Sequence, residues 1–318
     1  MKIRILLALI ILLALNQTVY SLSLASLTSD FWIKATVEEV NKILDDKSRP
    51  QDKTDINIAL ANAAISSTNP QVIETLIKHG ADINSKDEDG MSPLMDASMS
   101  NSNPEVVNFL LFNKAEINEK SSEGRTALMF ATMNLSSPDI LGILIDRKAD
   151  VNAKDNNGET ALMVAASNDE DTAMMETLLK NGAKIADKDN SGMTALSYAA
   201  RYNTNPEIMN FLIKNGAEVK QKDNYGRTAL MYASTVGPDT IQPLISNGAN
   251  INTKDNSGKT ALMYASMIPG NDEVITELTN RGADASIKDN SGKTAADYAK
   301  ALNSSNASEQ SQSDVFSE

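Results

Sequence analysis

One motif returns through this chain at an almost constant interval. It reads G-x-T-A-L-M-x-A, nearly unchanged at residues 124–131, 226–233 and 258–265 and in variant form at 90–97, 158–165, 192–199 and 292–299. Its anchors are Leu60, Leu94, Leu128, Leu162, Leu196, Leu230 and Leu262, with Ala296 last, spaced 34, 34, 34, 34, 34, 32 and 34 residues apart. A fixed period of this length specifies small units that bury their apolar faces against one another, so the chain cannot be a globule around a single core.

One period shows what each unit must be. In residues 190–223, Thr194 precedes Ala195, Leu196, Ala199 and Ala200, which predicts a short helix capped by the threonine oxygen with a small-residue face. Asn205, Pro206 and Glu207 predict the start of a second helix: a cap, a proline where its missing N–H is harmless, and an acid in the first turn. Ile208, Met209, Leu212 and Ile213 form its apolar stripe, and Gly216 closes it. Residues 217–226 are rich in turn formers. Each unit is therefore helix, loop, helix and a long hairpin-like turn, and the fold class is an all-α solenoid. Tetratricopeptide units share the period, but they have short turns and a Trp/Gly/Tyr signature that is missing here.

The string G-A-D-I-N-x-K-D-x-x-G-x-T-A-L-M-x-A, followed by an N-P-E-V-V-type helix, resembles the ankyrin repeat. Thr126, Thr160, Thr194, Thr228, Thr260 and Thr294 match the family threonine, with Ser92 in its place once. Pro93 keeps the family proline. The family histidine is replaced by Met95, Met129, Met163, Met231 and Met263, and by Ser197. The resemblance spans residues 54–302, seven full repeats and a C-terminal cap in which Ala296 and Asp297 replace core residues. Residues 26–53 fit a degenerate capping hairpin closed by Phe31 and Trp32, and the polar stretch 303–318 fits a disordered tail.

The first 25 residues differ. Lys2 and Arg4 precede an eleven-residue apolar run from Ile5 to Leu15, and small residues follow, the layout of a secretory signal. Ser23 and Ala25 suit cleavage after Ala25, with Ser21 as the alternative. The run is well short of the roughly 20 residues of a spanning helix. The expectation is an exported, monomeric chain, periplasmic or secreted, with no membrane attachment once the signal is removed.

Composition narrows the chemistry. The net charge is −13, and −15 without Lys2 and Arg4, which argues against nucleic acid. There is no cysteine and one histidine, His79, so thiolate chemistry, a Ser-His-Asp triad and a multi-histidine metal site are all outside the expectation. The turns at Asp87-Glu88-Asp89-Gly90, Asp155-Asn156-Asn157-Gly158 and Asp189-Asn190-Ser191-Gly192 lack the closing glutamate of a calcium loop. Asn134-Leu135-Ser136 is a glycosylation sequon that matters only in a eukaryotic secretory pathway. No catalytic residue, metal or cofactor is predicted.

The resemblance implies a protein partner on the concave face formed by turn tips and first helices. The positions that vary between units are then the readable ones. They point to Arg125, Met133, Glu159, Met193, Arg201, Tyr202, Tyr225, Arg227 and Lys259. The row Phe130, Val164, Tyr198, Tyr232, Tyr264 and Tyr298 reads either as packing between units or as binding anchors. The expected function is a non-enzymatic scaffold or protector of another exported protein in a bacterial envelope. An effector acting on a host protein is the alternative, and a carboxylate-based hydrolase a lesser one.

Two irregularities complete the reading. The 224–255 unit is two residues short, with Pro243 inside its second helix, which predicts a kink or a late start. Lys114 and Lys148 stand where other units have the helix-closing glycine, which predicts strained or altered turns.

Overall fold

The pattern of short capped helices is what the computed structural model contains. It describes residues 24–46, 52–134, 139–168 and 172–304, with seventeen α-helices among them and only an isolated bridge between Lys222 and Thr228 for β-pairing. Residues 1–23 of the signal-like segment and residues 305–318 of the polar tail lie outside the described residues; Leu24–Ser26 form a 3-10 turn with Leu24 fully buried, and the first two residues of the predicted tail continue the last helix, which runs through Ser304. The chain divides into two compact units, 1–150 and 151–318, taken here one at a time.

In 1–150 the helices are α1 (Ser29–Lys34), α2 (Val37–Leu44), α3 (Lys53–Ser66), α4 (Pro70–Lys78), α5 (Pro93–Ser100), α6 (Pro104–Phe112), α7 (Ala127–Ala131) and α8 (Asp139–Asp146). First helices pack on first helices (α1 on α3, α3 on α5, α5 on α7), and second helices on second helices (α2, α4, α6 and α8 in turn). Trp32 is fully buried and meets the Phe31 ring edge-on at 5.1 Å. α3 departs from the pattern. It is 14 residues long and capped by Asp52, so helix occupies positions that are turn in every later repeat.

In 151–318 the helices are α9 (Ala161–Asn168), α10 (Ala173–Lys180), α11 (Ala195–Tyr202), α12 (Pro206–Lys214), α13 (Ala229–Ala233), α14 (Pro238–Ser246), α15 (Ala261–Ala265), α16 (Asp272–Asn280) and α17 (Ala295–Ser304). α9, α11, α13, α15 and α17 form the first-helix layer, and α12, α14 and α16 pack in the second. Small residues permit this spacing: Ala199, Ala200, Ala233 and Ala265 are all fully buried. Ala296 and Asp297 are exposed on α17, so the last repeat turns a polar face outward.

The caps follow the sequence. The Thr194 oxygen accepts from the Ser197 N–H at 3.4 Å, and the Asn205 side chain accepts from Glu207 N–H at 3.0 Å. Lys114 and Lys148 adopt left-handed φ values of 71° and 73°, and the N–H groups that follow them still close onto Leu110 and Leu144. These turns thus keep the glycine geometry and carry the strain.

Pro243 gives a correction. α14 does not start late: it begins at Pro238 and runs nine residues, the length of α12. The two missing residues come from the loop before it, and with them went the asparagine cap. Gly237 holds that position without a side-chain hydrogen bond. The hydroxyl of Thr240 reaches the carbonyls of Gly237 (2.7 Å) and Ala233 (3.0 Å) instead.

Candidate functional site

The long turns look like loops in sequence, yet they are held by side chains at three levels. Within a turn, one oxygen of the leading aspartate accepts two backbone N–H groups; Asp189 takes those of Ser191 (2.9 Å) and Met193 (2.7 Å). Between turns, Asn190, Asn224, Asn256 and Asn290 each donate to the carbonyl of the equivalent residue one repeat earlier, at 2.9–3.1 Å. Lys154, Lys188, Lys222 and Lys254 do the reverse, each reaching the carbonyl of the equivalent lysine one repeat later. The approach is close enough that a Cβ at Gly226 would sit 2.8 Å from the backbone nitrogen of Asn256. The turn aspartates and asparagines are therefore already engaged within the protein.

The tyrosine row supplies the third level. Tyr198, Tyr232, Tyr264 and Tyr298 each donate their phenol to the second oxygen of the aspartate nine residues before, Asp189, Asp223, Asp255 and Asp289 respectively, at 2.5–2.9 Å. Tyr198 also donates to Glu159 at 3.0 Å. Burial, and then the neighbouring carboxylates, hold the Tyr198 phenol well above its ordinary range. Burial and the hydrogen bond to Asp223 do the same for Tyr232. Asp289 is pushed the other way: burial would raise it, but hydrogen bonds from Tyr298, Ser291 and the Lys293 backbone hold it at about 2. The row lacks a phenol at Phe130, where the turn begins with Ser121, and at Val164, where the turn keeps its aspartate, Asp155.

On this frame 151–318 carries a chain of cationic–aromatic contacts that runs from the interior to two exposed tyrosines. The Arg201 guanidinium lies 5.1 Å from the Tyr202 ring centre and 5.5 Å from that of Tyr232. Tyr202 tilts against Tyr198 at 5.9 Å. Arg227 lies 4.8 Å from Tyr225 and hydrogen-bonds the phenols of Tyr232 and Tyr264. Lys259 sits 6.0 Å from both Tyr264 and Tyr298. Tyr202 and Tyr225, 53% and 48% exposed, are the large groups this surface offers to a partner.

The sequence-predicted positions thus divide. Arg201, Tyr202, Tyr225 and Arg227 are brought into one chain of contacts. Glu159 and Lys259 flank it, partly exposed. Met193 and Arg227 are buried, so their variability does not make them exposed contacts; Arg227 ties together two tyrosines from inside. Arg125 and Met133, partly exposed, belong to 1–150, and Arg125 pairs with Glu123 at 3.4 Å. His79 hydrogen-bonds the Thr75 carbonyl at 2.9 Å and faces Asp45 at 3.4 Å. Asn134 of the sequon is buried, its amide donating to the carbonyls of Ser98 and Asn101, so the nitrogen that would carry a glycan points inward. Sequence reasoning passed over Asp96, a buried carboxyl in the tyrosine row of the 90–98 repeat; a polar residue at a core position was its signal.

Comparison with known proteins agrees with this architecture. The family profile "Ankyrin repeats (3 copies)" matches in overlapping segments, 34–121, 60–155, 94–189, 128–223, 172–255 and 230–309. A chain in the structure of the Bd0816 predatory endopeptidase from Bdellovibrio bacteriovorus in complex with immunity protein Bd3460 is 36% identical, with TM-score 0.51, covering 59% of this chain and 97% of that one. The human ASB11 ankyrin repeat domain is 24% identical, with TM-score 0.62, covering 71% of this chain and 98% of that one, a likeness of fold alone. No curated protein sequence matches significantly. With the repeat, its caps and its stacked turns all in place, the chain belongs to the ankyrin-repeat family.

Proposed function

We propose that this chain is a non-catalytic binding protein that holds an exported bacterial peptidase and protects the producing cell from it. The observation that carries the reading is the Tyr198–Tyr202–Arg201–Tyr232–Arg227–Tyr225 contact chain, which presents two half-exposed tyrosines on a rigid frame. Aromatic and arginine side chains held in this way are typical anchors of protein interfaces. The class of partner is supported by the 36% identity to a chain of an endopeptidase–immunity protein complex. The signal-like first 25 residues support an envelope location, which a peptidase partner in the same compartment would require.

Catalysis is the weaker reading because the turn carboxylates that could serve it are spent on backbone N–H groups and phenols. The test is affinity capture of the chain without residues 1–25 from its own envelope fraction, read by mass spectrometry. A captured peptidase whose activity falls on adding the chain is the expected result. Tyr202→Ala combined with Tyr225→Ala weakens capture by tenfold or more if this surface is the contact. Capture of no exported hydrolase overturns the reading.

A further inference from the structure

The 90–98 repeat places a carboxyl where four later repeats place a phenol. In the repeats at 192–199, 226–233, 258–265 and 292–299 the leading aspartate of the turn accepts a tyrosine phenol nine residues on, whereas Phe130 and Val164 stand at that position in the two repeats before them. In the turn 87–91 the aspartate is Asp87, and the ninth residue after it is Asp96, a carboxyl where the phenol belongs. Asp87 Oδ1 accepts the N–H groups of Asp89 (3.0 Å) and Met91 (2.7 Å) in the usual way. Its Oδ2 receives no phenol, and Asp96, only 6% exposed, has no hydrogen bond from any described residue. Two carboxyl groups therefore line one groove without the phenol donor that the four repeats from 192 on supply. The Asp96 side chain is held almost wholly within the protein, where a charged oxygen is favoured by a donor that enters from the groove.

What lies in front of them is open space. Because α3 is helical where later repeats have a turn, a groove of about 700 Å³ remains between α3 and the turn 85–91, and both Asp87 and Asp96 line it. Its walls are apolar along Ile58, Ile65 and Met91, and Ile58 is 43% exposed. Glu88 stands at the lining as a further negative charge. The cation among the lining residues, Lys86, is turned to Glu119 and to the Lys120 carbonyl. No group of three or more His, Cys, Asp or Glu side chains among the described residues is arranged to hold a metal ion.

We infer that this groove is a socket for a lysine or arginine side chain of the protein partner, whose charged head sits between Asp87 and Asp96 while its methylene stem lies along Ile58, Ile65 and Met91. A basic side chain is the ligand whose parts match both halves of the groove: a donor head for two unfilled carboxylates and an apolar stem for the walls. The net charge of −13 favours the approach of such a group. The inference rests on the protein-binding reading above and adds a second contact region, in 1–150.

The test uses the chain without residues 1–25 and two probes, Nα-acetyl-lysine methylamide and Nα-acetyl-norleucine methylamide, which keeps the four-carbon stem and lacks the ammonium head. The Asp96 side-chain carboxyl is followed by carbon NMR across pH, with Asp87, Glu88 and Lys86 as the other ionising groups of the groove. The expected result is that the lysine probe lowers the Asp96 midpoint by one unit or more and shifts Ile58 and Met91, whereas the norleucine probe leaves the midpoint in place. Asp96→Asn removes the response. Asp96→Tyr, which restores the repeat's own residue and fills the space, removes it in a chain that folds. No shift with the lysine probe, equal shifts with both probes, or a divalent metal ion producing the same shift at lower concentration overturns the socket. Failure of the socket leaves peptidase capture intact, whereas failure of the function reading leaves the lysine response intact without a captured peptidase.

Discussion

The phenol of Tyr264 donates to Asp255 Oδ2 at 2.7 Å, and that one bond ties the first helix of its repeat to the turn before it. The same aspartate holds the turn through the N–H groups of Ser257 and Lys259, so helix and turn are fixed through a single carboxylate. Tyr264 is buried, and its replacement leaves that oxygen without its donor. Tyr264→Phe should therefore destabilise the chain by about 1.5–3 kcal/mol, the range for hydrogen bonds to charged groups. Urea denaturation measures it, and a change below about 0.5 kcal/mol would mean that water replaces the phenol.

Asp96 makes stability depend on pH. Burial first, and then the charge of Asp87, push its carboxyl from 3.8 up to about 7. The folded state then binds a proton that the unfolded state has lost, so the contribution of Asp96 to stability is greatest below pH 4, falls between pH 4 and 7, and is lowest above 7. The shift corresponds to about 4 kcal/mol between these limits. Asp96→Asn should flatten this part of the profile, gaining most against the native chain at pH 8. Melting curves at pH 5 and pH 8 for both proteins check it, and an equal difference at the two values would contradict it.

Lys114 and Lys148 carry left-handed backbones that a glycine adopts without strain. Lys114→Gly and Lys148→Gly should each stabilise the chain, by about 0.5–1 kcal/mol once the greater freedom of glycine in the unfolded chain offsets part of the 1–2 kcal/mol of relief. Gly80, with φ of 102° and open space around its Cβ position, is the internal reference. Denaturation midpoints that fall instead of rising would show that the lysine side chains contribute more than their backbone strain costs.

Pro243 cannot donate to the Asp239 carbonyl, and α14 also lacks a side-chain cap. Amide exchange in α14 should accordingly be faster than in α12, which has the Asn205 cap and no internal proline. Protection factors within a factor of three of each other would refute the weak point. Pro243→Ala, which supplies the missing N–H, should slow exchange at neighbouring amides.

The fold was readable because each unit states its own helices: Thr194, Asn205 and Pro206 act on neighbours within three residues, and periodicity exposes them. The interlocks were harder to see because they join residues in different repeats. Nothing local about Asn224 or Lys222 shows that its partner is 34 or 32 residues away. The tyrosine row was legible as a row, but its role lies in a pairing with an aspartate nine residues earlier, for which Phe130 opposite Ser121 was the available clue. For the candidate surface, the residues read from the sequence include Arg201, Tyr202 and Tyr225, which lie in one chain of contacts. Variation between units also selected Met193 and Arg227, because a position can vary and still be buried when its neighbours compensate.

In 151–318 the asparagine stitches reach back to the equivalent carbonyl of the preceding repeat and the lysine stitches forward to that of the following one, and the copies there carry both donor and acceptor. A repeat cut out whole, such as 190–223, would leave Lys188 facing the carbonyl of Lys254 and Asn224 facing that of Asn156, the same pairs under new numbers. Length is thus a free variable for this gene. Unequal recombination can add or subtract a storey without a single new contact having to be found.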